Sequence, residues 1–262
     1  MNDFSASFLA TYRLEQGVYC NANLHFHFED AYLSVRKKEN RIYKDFEVAQ
    51  FPEVAKSHTQ YVEWRMRKES LNRVLLYLKA KNPKYILDLG CGNGWFLSHL
   101  AKTFPNSICI GMDINKVELQ QAARVFTAPN VYWMYEDIFT CELPNTLSFD
   151  CVILNGCLQY FENPQDLIHT LQTKQPQDGK IHIIDSPLYK NETDAAAAKM
   201  RSIAYFQGLD ALASAQYFHH HTWEVLKAYN WRILYRPNLY ERLVNKVLHQ
   251  KYNPFSWICI SK

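Results

Sequence analysis

The glycine-rich turn at residues 90–94 is the feature that most constrains what this chain can fold into. Its sequence is GCGNG, it follows the apolar run ILDL at residues 86–89, and a helical pattern follows it. Glycine at every second position removes Cβ atoms, so that a ligand can lie against bare backbone at the start of a helix. Trp95 stands where the dinucleotide-binding motif GxGxxG requires its last glycine. The pattern therefore predicts a strand, a ligand-binding turn and a helix.

Acidic residues follow two further apolar runs downstream of this turn. Asp113 follows residues 107–112, and Asp137 lies just beyond the run at 131–135. Asn115 is predicted to cap the helix that begins behind Asp113. A carboxylate at the carboxyl end of a second strand suits two hydrogen bonds to the hydroxyls of a ribose.

Apolar runs at residues 149–154 and 180–185 complete an ordered series of five. With the glycine turn and the acidic residues, this series resembles the class I S-adenosylmethionine (SAM)-dependent methyltransferases over about residues 84–187. The resemblance implies an α/β, Rossmann-like sheet of seven mostly parallel strands, with the last strand antiparallel and helices on both faces. It also implies SAM as the cofactor and S-adenosylhomocysteine (SAH) as its product. An NAD-binding Rossmann domain is the alternative, which the missing third glycine disfavours.

The resemblance also assigns roles to residues at the ends of the predicted strands. Residues 90–94 would lie along the methionine part of SAM, with Asp88 near its amino group. Asp113 would bind the ribose, Asp137 the adenine amino group, and Asn155 would approach the sulfonium. The full candidate set for cofactor binding is Arg67, Asp88, Gly90, Cys91, Gly92, Gly94, Asp113, Ile114, Asp137, Ile138, Asn155, Gly156 and Leu158.

Arg67 belongs to this set although it precedes the first strand of the series. A long helix is predicted before that strand, with Ser57 and Gln60 as a capping box at its start. Arg67 lies in the apolar stripe of this helix, where a guanidinium needs an anionic partner. The partner is either the carboxylate of SAM, as in the family, or a core acid such as Asp88.

The chain is predicted to form one methyltransferase domain with two covering segments. Residues 1–56 form an N-terminal cap, residues 57–262 form the domain, and residues 188–220 form a lid inserted after the fifth strand of the series. Within the cap, the alternation at 23–28 predicts a half-buried strand and the charged run at 35–41 predicts a solvated turn. Beyond the fifth strand, helices are predicted at 191–216, 222–229 and 238–251, and strands at 231–235 and 255–260.

The predicted reaction is in-line methyl transfer to an oxygen, nitrogen or carbon atom of a small-molecule acceptor. After the fourth strand the chain reads Asn-Gly-Cys, which lacks the Asp/Asn-Pro-Pro-Tyr/Phe motif of amino-methylating nucleic-acid enzymes. Candidate catalytic residues are His27, His219, His221 and Tyr160, because they can exchange a proton or line the acceptor pocket. His219 and His221 share one face if the segment is extended. No pattern of convergent ligands predicts a metal site.

Two alternatives to a small-molecule acceptor stay open. The chain could methylate a protein or a carrier-bound intermediate, with the basic cluster at 36–41 docking an acidic carrier. It could instead be a regulatory SAM-binding protein without turnover, although its glycine turn is intact.

Composition and charge restrict the class of protein further. Lysine and arginine number 29 against 26 acidic residues, and a formal charge of +3 does not indicate a nucleic-acid-binding protein. The seven cysteines form no CxxC pair, which is typical of a reducing compartment. No signal-peptide pattern or membrane-length apolar run is present, so we expect a cytoplasmic protein without a membrane partner.

Overall fold

A computed structural model describes residues 9–21, 27–144, 147–248 and 252–262. Nine strands in these ranges form one sheet: β1 (Arg13–Glu15), β2 (Val18–Cys20), β3 (Tyr85–Leu89), β4 (Ile108–Asp113), β5 (Val131–Tyr135), β6 (Cys151–Asn155), β7 (Lys180–Ile184), β8 (Asn230–Tyr235) and β9 (Trp257–Ser261). The α-helices are α1 (His27–Lys38), α2 (Asp45–Val48), α3 (Tyr61–Lys79), α4 (Trp95–Thr103), α5 (Lys116–Val125), α6 (Pro164–Thr173), α7 (Glu192–Gly208) and α8 (Leu239–Leu248). Three 3₁₀ turns cover Leu158–Tyr160, Leu212–Tyr217 and Trp223–Leu226.

The sheet has the order β1-β2-β5-β4-β3-β6-β7-β9-β8. Strands β5, β4, β3, β6 and β7 are parallel, while β9 is antiparallel to both β7 and β8. The seven strands from β3 to β9 therefore confirm the predicted sheet and its antiparallel last strand. Because the carboxyl ends of the parallel strands meet at one edge, the residues that follow them are brought together there.

Alternate residues of the parallel strands pack on opposite faces of the sheet. Ile86 belongs to a core with α3, α4 and α5, whereas Leu87 belongs to a second core with α6. Strands buried on both faces are continuously apolar, which is why these runs were recognisable in the sequence. The predicted helices on both faces are confirmed.

A hairpin at the edge of the sheet adds two strands that the sequence did not predict. β1 and β2 are antiparallel to each other, and β2 pairs with β5 in parallel. Gln16 and Gly17, which join them, both have positive φ, as tight hairpin turns require. Strands of three residues are too short to produce a readable alternation.

Other predictions for the N-terminal part need correction. The predicted strand at 23–28 falls partly on residues 22–26, which lie outside the described residues, and His27 and Phe28 begin α1 instead. The predicted turn at 35–41 begins within α1, where Val35 is buried, and the chain turns at Asn40. Ser57 and Gln60 form no capping box, because α3 begins at Tyr61 and the Gln60 side chain makes no capping hydrogen bond.

The segment after β7 contacts α1. Asn191 caps α7, which ends at Gly208 because Asp210 takes a positive φ, so the predicted helix 191–216 is broken. The predicted helix 222–229 is only a 3₁₀ turn. Tyr205 of α7 donates a hydrogen bond to Glu39, just beyond α1, and Lys38 pairs with Asp210 at 3.5 Å. No helix in the described ranges is both long and apolar enough to cross a membrane.

Candidate active site

A cavity of about 390 Å³ lies at the carboxyl ends of β3, β4, β5 and β6. Most of the predicted site residues line it: Arg67, Asp88, Gly90, Cys91, Gly92, Asp113, Ile114, Asp137, Ile138, Asn155, Gly156 and Tyr160. The topology of the sheet brings these residues together although they are spread over residues 67–160 of the sequence. We call this space the cofactor cavity.

Glycine is required in the turn by its backbone and by close packing. Gly90 has φ +71°, and a Cβ there would lie 2.7 Å from the Cβ of Cys157. A Cβ on Gly94 would lie 2.4 Å from the Trp133 ring, behind the turn. Gly94 does not line the cavity but packs closely behind the turn, and its contact with the cofactor stays a prediction.

Asp113 connects β4 to the glycine turn. Its Oδ2 accepts a hydrogen bond from Gly92 N at 2.7 Å, and its Oδ1 accepts one from Asn115 N at 2.8 Å. Burial raises the pKa of Asp113 to about 6, against the opposing effect of these backbone N–H groups. Each carboxylate oxygen retains a further lone pair, so Asp113 can position the turn and still accept hydrogen bonds from a ligand.

Asp88 is a buried carboxylate without a hydrogen-bond partner among the described residues. It is 1 % exposed, and neither Oδ1 nor Oδ2 has a partner there. Burial, assisted by the charge of Asp113, raises the pKa of Asp88 well above its usual value. Since this group lines the cofactor cavity, it fits the ammonium group that SAM carries.

Arg67 lines the same cavity but does not pair with Asp88. Its Nη2 lies 2.9 Å from Glu63, one helical turn earlier, and Arg41 Nη2 lies 2.6 Å from the other Glu63 oxygen. Burial alone would raise the pKa of Glu63, yet the two guanidinium groups lower it to about 2. The predicted alternative, a salt bridge to Asp88, is wrong. Arg41 and Glu63 were not predicted as cavity residues, although the spacing of Glu63 and Arg67 is that of a helical ion pair.

The residues that follow β5 also line the cofactor cavity. Asp137 accepts a hydrogen bond from Phe139 N at 3.0 Å, and Ile138 is buried beneath it. Glu136 is buried and accepts a hydrogen bond from Tyr12 at 2.8 Å, so its carboxylate is already satisfied. Leu158 lies fully buried in the core and is not part of the cavity wall, and its place in the cofactor-binding set stays a prediction.

Asn155 and Gly156 carry the chain across the cavity after β6. The Asn155 Oδ1 is buried without a partner in the described part of the chain. Gly156 has φ +65°, and its N–H donates to Ile184 O at 2.8 Å. These features place one unsatisfied acceptor beside the glycine turn.

The candidate histidines lie apart from the cavity. The rings of His219 and His221 stack at 6.0 Å, which confirms that they share a face, and His220 bonds to Ser202 elsewhere. His221 Nε2 lies 2.9 Å from Phe161 O, and neither His219 nor His221 lines the cavity. Their catalytic role stays a prediction, and the contacts seen for His221 are structural. The side chain of His27 lies outside what the structure describes.

Glu118, in the first turn of α5, lines the cavity but was not among the predicted site residues. The side chain of Asn115 accepts a hydrogen bond from Glu118 N at 3.1 Å, which confirms the predicted cap. Burial and the charge of Asp113 raise the pKa of the Glu118 carboxyl to about 7, although Arg36 and Arg67 act in the opposite direction. Only the fold shows that this side chain faces the cavity.

A second cavity of about 510 Å³ adjoins the first, between α1 and α7. The two share the residues Phe28, Tyr32, Arg36, Tyr160 and Tyr217. Burial raises the pKa of both Tyr32 and Tyr160, so their phenol groups stay protonated at neutral pH. Tyr160 can therefore donate a hydrogen bond but is a poor base.

Known proteins resemble this chain both in sequence and in structure. A family model described as a methyltransferase domain matches residues 61–235. A malonyl-[acyl-carrier protein] O-methyltransferase of Halalkalibacterium halodurans is 31% identical over 102 residues, which cover 38% of each chain. An uncharacterized methyltransferase of Mycobacterium tuberculosis is 34% identical over 99 residues, covering 38% of this chain and 49% of that protein. The aligned region thus spans less than half the length of these curated relatives.

Two solved structures share the fold. The magnesium protoporphyrin IX methyltransferase of Synechocystis PCC 6803, with bound SAH, has a TM-score of 0.56 at 14% identity over 89% of this chain and 98% of its own. The plantazolicin methyltransferase BpumL, in complex with SAH, has a TM-score of 0.51 at 16% identity over 88% and 99%.

The sheet order, the glycine turn and the carboxylates after successive strands define a Rossmann-like class I methyltransferase. The chain belongs to the methyltransferase domain family, and the resemblance stated from its sequence is confirmed. SAM is the cofactor of this class, so the NAD-binding alternative is dropped.

Proposed function

We propose that this chain transfers the methyl group of SAM to a small-molecule acceptor bound in the second cavity. The observation that carries this proposal is the shared wall of the two cavities, which includes Tyr32, Arg36 and Tyr160. An acceptor in the second cavity would meet a cofactor in the first at this wall. Such contiguity suits a displacement in which acceptor, methyl and sulfur must lie in line.

The cofactor would be oriented by charges that the cavity already contains. Asp88 would accept from the ammonium group, Arg67 would face the carboxylate, and Asp113 would accept from the ribose hydroxyls. Asp137 would lie near the adenine amino group. An acidic side chain at Asp88 and a guanidinium at Arg67 line the same cavity, and they are complementary to the ammonium and carboxylate groups of an amino acid, which supports this orientation.

The chain's own residues would chiefly align the reactants and exclude water. When bound, SAM supplies a methyl group activated by its sulfonium. Tyr160 and Tyr32, both protonated, would donate hydrogen bonds to the acceptor. Glu118 would be a further candidate proton acceptor beside the histidines, because it lines the cofactor cavity and burial raises its pKa to about 7.

A carrier-bound acceptor remains the second candidate, because some relatives are named malonyl-[acyl-carrier protein] O-methyltransferases. The predicted docking of an acidic carrier on the basic cluster at residues 36–41 is not favoured. The side chains of Arg36 and Arg41 are only 20% and 26% exposed, and they pair with Glu39 and Glu63. Both arginines line the cofactor cavity and do not form an outward patch.

Calorimetric titration with SAH tests the cofactor part of the proposal. We expect binding to the wild type and loss of binding in Asp113→Ala, whereas NADH should not bind. Release of SAH from SAM is then measured with free small molecules and with the same molecules linked to acyl carrier protein. Turnover restricted to the carrier-linked forms would overturn the small-molecule proposal, and absence of SAH binding would overturn the enzyme assignment.

A further inference from the structure

We propose that the second cavity binds a planar aromatic acceptor that carries one anionic group, and that Arg201 holds this anion. The inference rests on the proposed function, since it names the acceptor class for the same site. Arg201 lines the second cavity but not the cofactor cavity. The anion would therefore anchor the acceptor at the end remote from methyl transfer.

The walls of the second cavity favour a flat ring. More than half of its lining residues are aromatic. Phe28 meets Tyr160 at 5.5 Å and Tyr217 at 5.5 Å, while Tyr32 meets Tyr160 at 5.8 Å, all with the ring planes steeply inclined. Edge-to-face clusters offer both ring faces and ring edges to an incoming aromatic group. The volume of about 510 Å³ falls in the range of small-molecule sites.

The charges of the cavity favour an anion. Arg36 is already neutralised, because its Nη1 lies 3.0 Å from Glu39 and its guanidinium stacks over Tyr32 at 4.7 Å. Glu39 also accepts a hydrogen bond from Tyr205, so its carboxylate is doubly engaged. Arg201 has no ion-pair partner among the residues the structure describes. The lining therefore carries one uncompensated positive charge.

A cationic acceptor is the opposing hypothesis, since aromatic walls also attract cations. It would have to bind beside Arg201 without a carboxylate to balance it, because the Glu39 carboxylate is engaged. Repulsion from Arg201 and the absence of a compensating acid disfavour that arrangement. The two hypotheses differ in the sign of the ligand charge, which an experiment can vary at constant shape.

The test uses the SAH-saturated protein and four probes of related shape: 2-naphthoate, 2-naphthamide, 2-naphthylmethylammonium and the non-planar decahydronaphthalene-2-carboxylate. Calorimetry should show 2-naphthoate binding at least about tenfold more tightly than each of the others. In Arg201→Gln this advantage over the amide should disappear, and Arg201→Lys should retain part of it. Lys199→Gln is the matched control, because Lys199 is exposed on α7 but does not line the cavity.

Each outcome decides the question. If the protein binds SAH but prefers the ammonium probe, or binds no probe, the anionic acceptor class is overturned while the proposed function stands. If Arg201→Gln and Lys199→Gln weaken naphthoate equally, the anion is not held by Arg201 and the assignment fails. If SAH itself does not bind, the proposed function and this inference fail together.

Discussion

Replacing Asp88 with asparagine should stabilise the ligand-free protein and weaken cofactor binding at the same time. The carboxylate is buried with neither oxygen bonded to a described residue, and its charged form, present once the pH exceeds the raised pKa of Asp88, costs more to bury than the neutral amide of asparagine, although that amide would also lack a described partner. Asp88→Asn removes the charge at nearly constant shape. We expect the melting temperature to rise by several degrees, since about 1 kcal/mol shifts it by about 2–4 °C in a chain of this size.

The same substitution removes the anionic partner proposed for the SAM ammonium group. A hydrogen bond to a charged group contributes about 1.5–3 kcal/mol, so SAH affinity should fall by about 10- to 150-fold. Asp150→Asn is the control, because Asp150 accepts hydrogen bonds from Lys84 N at 2.8 Å and Tyr85 N at 2.7 Å outside the cavity. That variant should lose stability and keep its SAH affinity.

The pH dependence of the melting temperature supplies a second readout for Asp88. Its pKa is raised in the folded protein, so folding favours the protonated form. Burial of Asp88 therefore does not lower the stability of the folded state below the ordinary pKa of an aspartate, about 4. The folded state loses stability as the pH rises from there towards the raised pKa of Asp88. Differential scanning fluorimetry from pH 4 to 8, with and without SAH, measures this. The reasoning is refuted if Asp88→Asn destabilises the free protein or leaves SAH affinity unchanged.

Three further predictions concern the cavity and its surroundings. SAH affinity should fall by up to about tenfold per unit as the pH drops below about 6, because protonation of Asp113 removes its charge and leaves fewer acceptor sites for the ribose hydroxyls; a calorimetric profile that is flat from pH 5 to 8 would contradict this. Gly90→Ala should destabilise the protein by about 1–3 kcal/mol in urea unfolding, whereas Gly208→Ala, with open space around it, should not. The double variant His219→Ala/His221→Ala should keep kcat within about twofold of wild type in the SAH-release assay, since neither ring lines the cavity; a hundredfold loss would support their catalytic assignment.

The part of the fold that sequence analysis predicted is the part with strong local signals. The parallel strands are apolar on both faces, and the glycine turn needs its glycines for backbone reasons that do not depend on distant residues. Asp113 and Asn115 could be placed because a strand end and a helix cap are local features. The division into residues 1–56, 57–262 and a lid at 188–220 stays a prediction.

The sequence was least informative for short elements and for side chains whose surroundings are assembled by the fold. Leu158 follows the right strand, yet the direction of its side chain within a 3₁₀ turn decides whether it faces ligand or core. His219 and His221 can exchange a proton and lie in the segment after β7. The fold, however, places a ring nitrogen of His221 in hydrogen-bond contact with Phe161 O.

Arg67 shows where more could have been read from the sequence. An arginine in an apolar stripe needs an anion, and Glu63 stands four positions earlier, at the spacing that a helix brings together. Because Glu63 is shared with Arg41, the guanidinium of Arg67 is held at the cavity wall before any ligand arrives. A cofactor carboxylate would then meet an ordered cation, while the ammonium would meet the unpartnered Asp88. The two charged groups of this cavity thus differ, because Arg67 is already paired with Glu63 whereas Asp88 has no described partner. Removing the charge of Asp88 should therefore stabilise the free protein, whereas removing Glu63 should not.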